Sequence, residues 1–167
     1  MKKNNRIRMM SHGALIAALY VVLTYLSSVV GLSSGVIQCR LSEALCILPV
    51  FTPYAIPGLF VGCIVSNLLF SQPVMILDVF FGSLATLIGA VGTYYMSKHK
   101  MFPCLYTLPT ILSNTLIIPF VLKFAYGFEG SVFYFMATVG LGEIISCGVL
   151  GAVLYYSLYK HSKHIFG

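Results

Sequence analysis

A chain of 167 residues that is 59% hydrophobic and only 8% charged falls far short of the roughly 25% charge of soluble domains. Its uncharged runs 79–97, 101–122 and 144–159 match or approach the roughly 20 residues that cross a bilayer core, which excludes a soluble enzyme or binding module and predicts an integral membrane protein. The net charge of +6 does not call for nucleic acid, because eight of the ten Lys and Arg lie at the two termini and in the loop 98–100, as a topology signal places them.

The first span is expected at about 10–31. Lys2, Lys3, Arg6 and Arg8 precede it in the manner of a signal peptide, yet the apolar stretch 13–31 is too long for a signal core and reads as a retained span. A Gly- and Ser-rich loop, 32–41, follows. A short helix at about 42–51 is ended by the prolines of TPYAIP, which cannot continue a helix. Further spans are expected at about 56–70, 78–97, 104–123 and 131–159. Basic segments stay in the cytoplasm; with both termini and the loop 98–100 inside, the number of spans must be even, and six fits. The reading is an all-α, single-domain bundle of six transmembrane helices in the plasma membrane, both termini cytoplasmic.

Depth gives the polar residues a pattern. At 1.5 Å per residue the segment 42–51 is only about 15 Å long and reaches roughly the bilayer midplane. Asn67 and Asn114 lie roughly 16 to 18 Å from the inner face, and Glu143 about 17 Å from the outer one. Arg40 and Glu43 are thereby withdrawn from bulk water, and Asp78 stands above at the outer rim. Charge against hydrocarbon costs a few kcal/mol per group and marks a pathway or site more often than decoration.

Each of these residues also has a plainer reading. Arg40 and Glu43, at i, i+3, are spaced to neutralise each other. Glu143 has no basic residue within a turn and needs a partner from another segment, a proton or a cationic ligand. Asn67 and Asn114 suit a heteroaromatic edge and equally suit bridging helices; Asp78 suits a helix N-terminus. Small residues at helical spacing, Ala14 and Ala18, Gly58 and Gly62, Gly148 and Gly151, permit close helix packing. The histidines sit near basic clusters or the membrane surface, and Tyr54 and Tyr126 suit an interfacial belt. The five cysteines show no metal-ligand spacing. The sequence contains no phosphate loop, no Ser/His/Asp or HExxH arrangement and no acidic metal cluster. Recognition without chemistry or cofactor is expected.

The strings QCRLSEAL, FTPYAIPGLFVGCIVSN, DVFFGSLATLIGA, PTILSN and GLGE closely resemble the queuosine-precursor transporter (QueT) family, substrate-binding S components of energy-coupling factor (ECF) transporters. The resemblance implies a protein that captures a deazapurine, foremost 7-aminomethyl-7-deazaguanine, and depends for uptake on a transmembrane T component and two cytoplasmic ATPases. It further implies that Ala14 and Ala18, matching a small-residue AxxxA pattern in helix one, contact the T component. For the ligand, Glu143 and Glu43 are expected to divide its ring edge and its cationic arm. Asn67 and Asn114 would read carbonyl and ring nitrogens, Arg40 would orient Glu43, Asp78 is a further candidate for the site, and the loop 32–41 would serve as a lid. A proton-coupled carrier acting alone, or less favourably a small membrane enzyme or scaffold, is the alternative.

Overall fold

The computed structural model describes residues 2–32, 39–70, 76–99, 102–124, 126–127 and 129–162, with the side chains of 2–6 and 8 left aside. The expected lid falls largely on 33–38, outside the described residues, as do Lys100, Lys163 and His164. Helix α1 spans Lys2–Val29, a 3-10 helix Leu41–Val50, α2 Ala55–Phe70, α3 Ile76–Lys98, a short 3-10 turn Pro103–Leu105 and α4 Leu108–Phe124. The last rod is α5, Val132–Glu143, continued without a break through a π-helical segment, Ile144–Leu150, into α6, Gly151–Tyr159. No strand occurs among the described residues.

Four stretches are long and apolar enough to cross a membrane, Met9–Val29, Ile76–Lys98, Pro103–Phe124 and Val132–Tyr159; Leu41–Val50 and Ala55–Phe70 are shorter apolar helices. The segment expected as a short α-helix coils as a 3-10 helix. Its rise of about 2.0 Å per residue, against 1.5 Å, stretches ten residues to about 20 Å, so its reach exceeds the 15 Å expected. The proline inside it, Pro49, removes one backbone donor from the last turn.

This 3-10 helix is the centre of the bundle. It packs on α1, α2, α3, α6 and the π segment, and Ser42, Glu43 and the run Leu45–Pro49 are buried. The main apolar cluster surrounds it, with Leu45, Cys46 and Leu48 against Ile16 and Tyr20 of α1, Leu59 and Cys63 of α2, and Cys147. Toward the end of the bundle that carries the termini, Phe51 stacks on Tyr155 with ring centroids 5.3 Å apart. The outer helices pair in sequence, α1 with α2, α2 with α3, α3 with α4 and α4 with α5. Close approach of α1 and α2 rests on small residues: a Cβ at Gly58 would stand 2.7 Å from the Gly13 carbonyl oxygen, and one at Gly62 2.8 Å from Tyr20 Cβ. Helix α1 remains at the rim. Only 17% of its apolar stretch is buried, against 39–44% for the other three long helices, and Ala14 and Ala18 both lie on its exposed face.

Candidate functional site

The buried polar groups of α1 hold the start of the 3-10 helix. Tyr20, Thr24 and Ser27, all buried, recur at i, i+4 and i+7 and so share one face. Thr24 donates to Ser42 Oγ at 2.9 Å, and Ser27 Oγ accepts the backbone N–H of Leu41 at 2.9 Å. Tyr20 donates to Glu43 Oε1. The other oxygen of Glu43 accepts from the Cys46 thiol at 3.1 Å and from the Asn114 amide at 3.5 Å. Glu43 is thus fixed by donors from α1, its own helix and α4, which is how a buried carboxylate is made tolerable.

Arg40 is held by a different set of groups. In extended conformation at the head of the 3-10 helix, it donates from Nη1 to Asn67 Oδ1 at 3.2 Å, and Asp78 is its foremost acidic neighbour. Asn67 donates its amide to the Asp78 carbonyl at 3.3 Å, and Asp78 Oδ2 accepts from Tyr126 at 3.3 Å. Arg40 and Glu43 therefore do not close on each other, although their spacing permits it; each is claimed by partners from distant segments. Tyr126, expected in an interfacial belt, also ties the α4–α5 connection to the first turn of α3. Asp78 does lie in that first turn, where a carboxylate meets the positive end of the helix dipole.

Glu143 completes the site from the far wall. It is the last α-helical residue before the π segment, and π turns inside α-helices occur frequently at functional sites. The residue is 9% exposed, its Oε2 has no hydrogen-bond partner, and Asn114 lies against the carboxylate. Arg40, Glu43, Asn114 and Glu143 border one small cavity of about 30 Å³, walled also by Cys63, Gly82 and Thr86. Only glycine fits at 82, because a Cβ there would stand 2.8 Å from the Asn67 amide nitrogen.

Of the six residues expected to bind a ligand, four meet at the cavity, while Asn67 and Asp78 stand behind Arg40 and hold it. Tyr20, Cys46, Cys63 and Thr86 are additions. The i, i+4, i+7 polar stripe in α1 was the available signal for Tyr20; an isolated Cys or Thr in an apolar helix carries none. A larger cleft of about 450 Å³ between α3 and α4 is lined by apolar side chains such as Leu77, Phe81, Leu116 and Phe124. It offers no polar side chain to orient a solute, as specific sites do. Among the described residues no group of three or more His, Cys, Asp and Glu is arranged for a metal ion.

An apolar helical bundle with four helices long enough to cross a membrane, and with its buried charged side chains gathered around one small cavity, defines an integral membrane protein. The profile of the QueT transporter family matches residues 10–160, and the chain belongs to that family of transporters, as a multi-pass protein of the cell membrane. The queuosine precursor transporter QueT of Lactococcus lactis subsp. cremoris (strain MG1363) is 40% identical over 88 residues, 52% of this chain and 50% of that protein. The match thus spans about half the relative's length. No solved structure matches the chain.

Proposed function

We propose that this protein is the substrate-binding S component of an ATP-driven ECF transporter for a queuosine precursor, foremost 7-aminomethyl-7-deazaguanine. Its ligand site is the cavity between Glu43 and Glu143. The observation that carries the reading is the pair of buried carboxylates at one cavity, with Asn114 beside both, in a family of transporters. A deazaguanine presents ring N–H and amine donors on one edge and an ammonium on its arm, and carboxylates accept both with charge-assisted hydrogen bonds. Membership of the QueT family, and the name that the relative carries, support the choice of solute.

In this reading six segments form the membrane domain, with both termini and the loop 98–100 cytoplasmic, as the basic residues require. Arg40, Asn67 and Asp78 form the side of the site toward the opposite face. A cavity of about 30 Å³ holds little more than a water or two, so ligand entry requires the walls to part. The π-helical segment after Glu143 and the proline inside α4, Pro119, are where the walls can yield. Energy for uptake comes from two ATPases through a T component docked on the Ala14 and Ala18 face of α1.

The second reading, a proton-coupled carrier acting alone, is favoured by the same unpartnered carboxyl of Glu143, which is free to exchange a proton. Reconstitution separates the two. The purified protein should bind 7-aminomethyl-7-deazaguanine in isothermal calorimetry, yet vesicles containing it alone should accumulate none under a proton gradient. Uptake driven by the gradient alone would establish the carrier instead. Absence of binding to any deazaguanine at millimolar concentration would remove the deazapurine assignment.

A further inference from the structure

The charges around the cavity do not balance. Three charged side chains border it, Arg40, Glu43 and Glu143. Arg40 is taken by Asn67 and faces Asp78. Glu43 is satisfied by Tyr20, Cys46 and Asn114. Glu143 alone presents a buried oxygen, Oε2, without a donor. A carboxylate so placed needs a proton or a cation from outside its own chain.

The geometry also limits what that cation can be. A planar, two-pronged donor edge engages both oxygens of a carboxylate, whereas an ammonium is a point charge that one oxygen can hold. Oε2 is the oxygen of Glu143 that is sealed from solvent without a donor, and Asn114 already lies against the carboxylate, which leaves room for one donor at that oxygen. From this we infer that Glu143 is the specificity-determining residue of the site and selects ligands that carry a primary ammonium arm over neutral ligands with the same ring. Glu43, fixed on both oxygens by Tyr20, Cys46 and Asn114, keeps further lone pairs for the ring edge that all these ligands share, and so does not discriminate between them. The inference rests on the deazapurine reading above and goes further: it separates the aminomethyl compound from its nitrile precursor, which share the guanine-like edge.

The test uses the full-length protein in detergent and three probes, 7-aminomethyl-, 7-cyano- and 7-methyl-7-deazaguanine, with Kd measured by calorimetry. The aminomethyl compound is expected to bind at least about tenfold more tightly than either neutral probe, the scale of one hydrogen bond to a charged group. In Glu143→Gln its affinity should fall at least about tenfold while the neutral probes change by less than about threefold, so that the preference disappears. Glu143→Asp should keep the preference at reduced affinity. Glu43→Gln should weaken all three probes by a similar factor. Equal binding of the three probes by the unmodified protein would overturn the inference and leave the deazapurine site standing. A preference for the nitrile, whose nitrogen accepts from a protonated carboxyl, would do the same. Equal loss of all probes in Glu143→Gln would assign Glu143 to the shared ring edge instead. If none of the probes binds the unmodified protein, the deazapurine reading falls and the inference with it. The comparison of probes on the unmodified protein requires no variant to fold.

Discussion

Glu43 shows how a charged side chain is made part of a hydrophobic core. At 3% exposure it survives because three donors, from Tyr20, Cys46 and Asn114, converge on its two oxygens. Removing one donor leaves a buried charge partly unsatisfied, which costs about 1–3 kcal/mol. Tyr20→Phe is therefore expected to lower the melting temperature of the purified protein by several degrees without altering its helix content. An unchanged melting curve would mean that the Tyr20 bond contributes nothing. These contacts were only partly legible in the sequence. Arg40, Glu43 and Glu143 stand out because charge in an apolar run is rare, so the pattern flags them unaided. Of their partners, Asn67, Asn114 and Asp78 stand out by their depth as well, whereas Tyr20 and Cys46 do not, since Tyr and Cys are equally at home as packing residues. The i, i+3 spacing of Arg40 and Glu43 even points to the wrong pairing, because local spacing says nothing of what other segments bring.

Two faces of α1 act differently, and substitutions separate them. The face toward α2 is tight: Gly58 admits no Cβ without meeting the Gly13 carbonyl oxygen at 2.7 Å. Gly58→Val should therefore push the two helices apart at a cost of about 1–3 kcal/mol, read as a lower melting temperature in detergent. The opposite face carries exposed Ala14 and Ala18. Ala14→Leu should leave the melting temperature of the isolated protein within a degree or so, while reducing copurification with the proposed T component. A comparable loss of stability from Ala14→Leu would place that residue inside the bundle and count against a docking role. The 3-10 helix illustrates what periodicity cannot tell: a ten-residue apolar run between prolines reads as a short helix, but its coil depends on the five elements packed around it.

For the molecule as a whole, the testable property is orientation. Cys104 is the exposed cysteine, next to the connection from α3 to α4, while Cys46, Cys63 and Cys147 are buried. A membrane-impermeant maleimide should label Cys104 in inside-out vesicles and leave it unlabelled in intact cells. Glu129→Cys, at an exposed position in the α4–α5 connection, should show the reverse pattern in a Cys39→Ser, Cys104→Ser background. Labelling of Cys104 from outside intact cells would invert the topology, and with it the direction from which the ligand enters.

Composition and charge by themselves determine that the chain lives in a membrane, that it folds as helices, and which charged side chains lie out of reach of bulk water. These follow from solvation free energies, which act on each residue wherever it sits in the fold. The tertiary structure alone decides how those side chains are shared out. Arg40 goes to Asn67 and Asp78, Glu43 goes to Tyr20, Cys46 and Asn114, and Glu143 keeps one oxygen without a partner. Which acid is satisfied and which is left open depends on distances of about 3 Å between segments far apart in the chain, and no spacing within one segment encodes them.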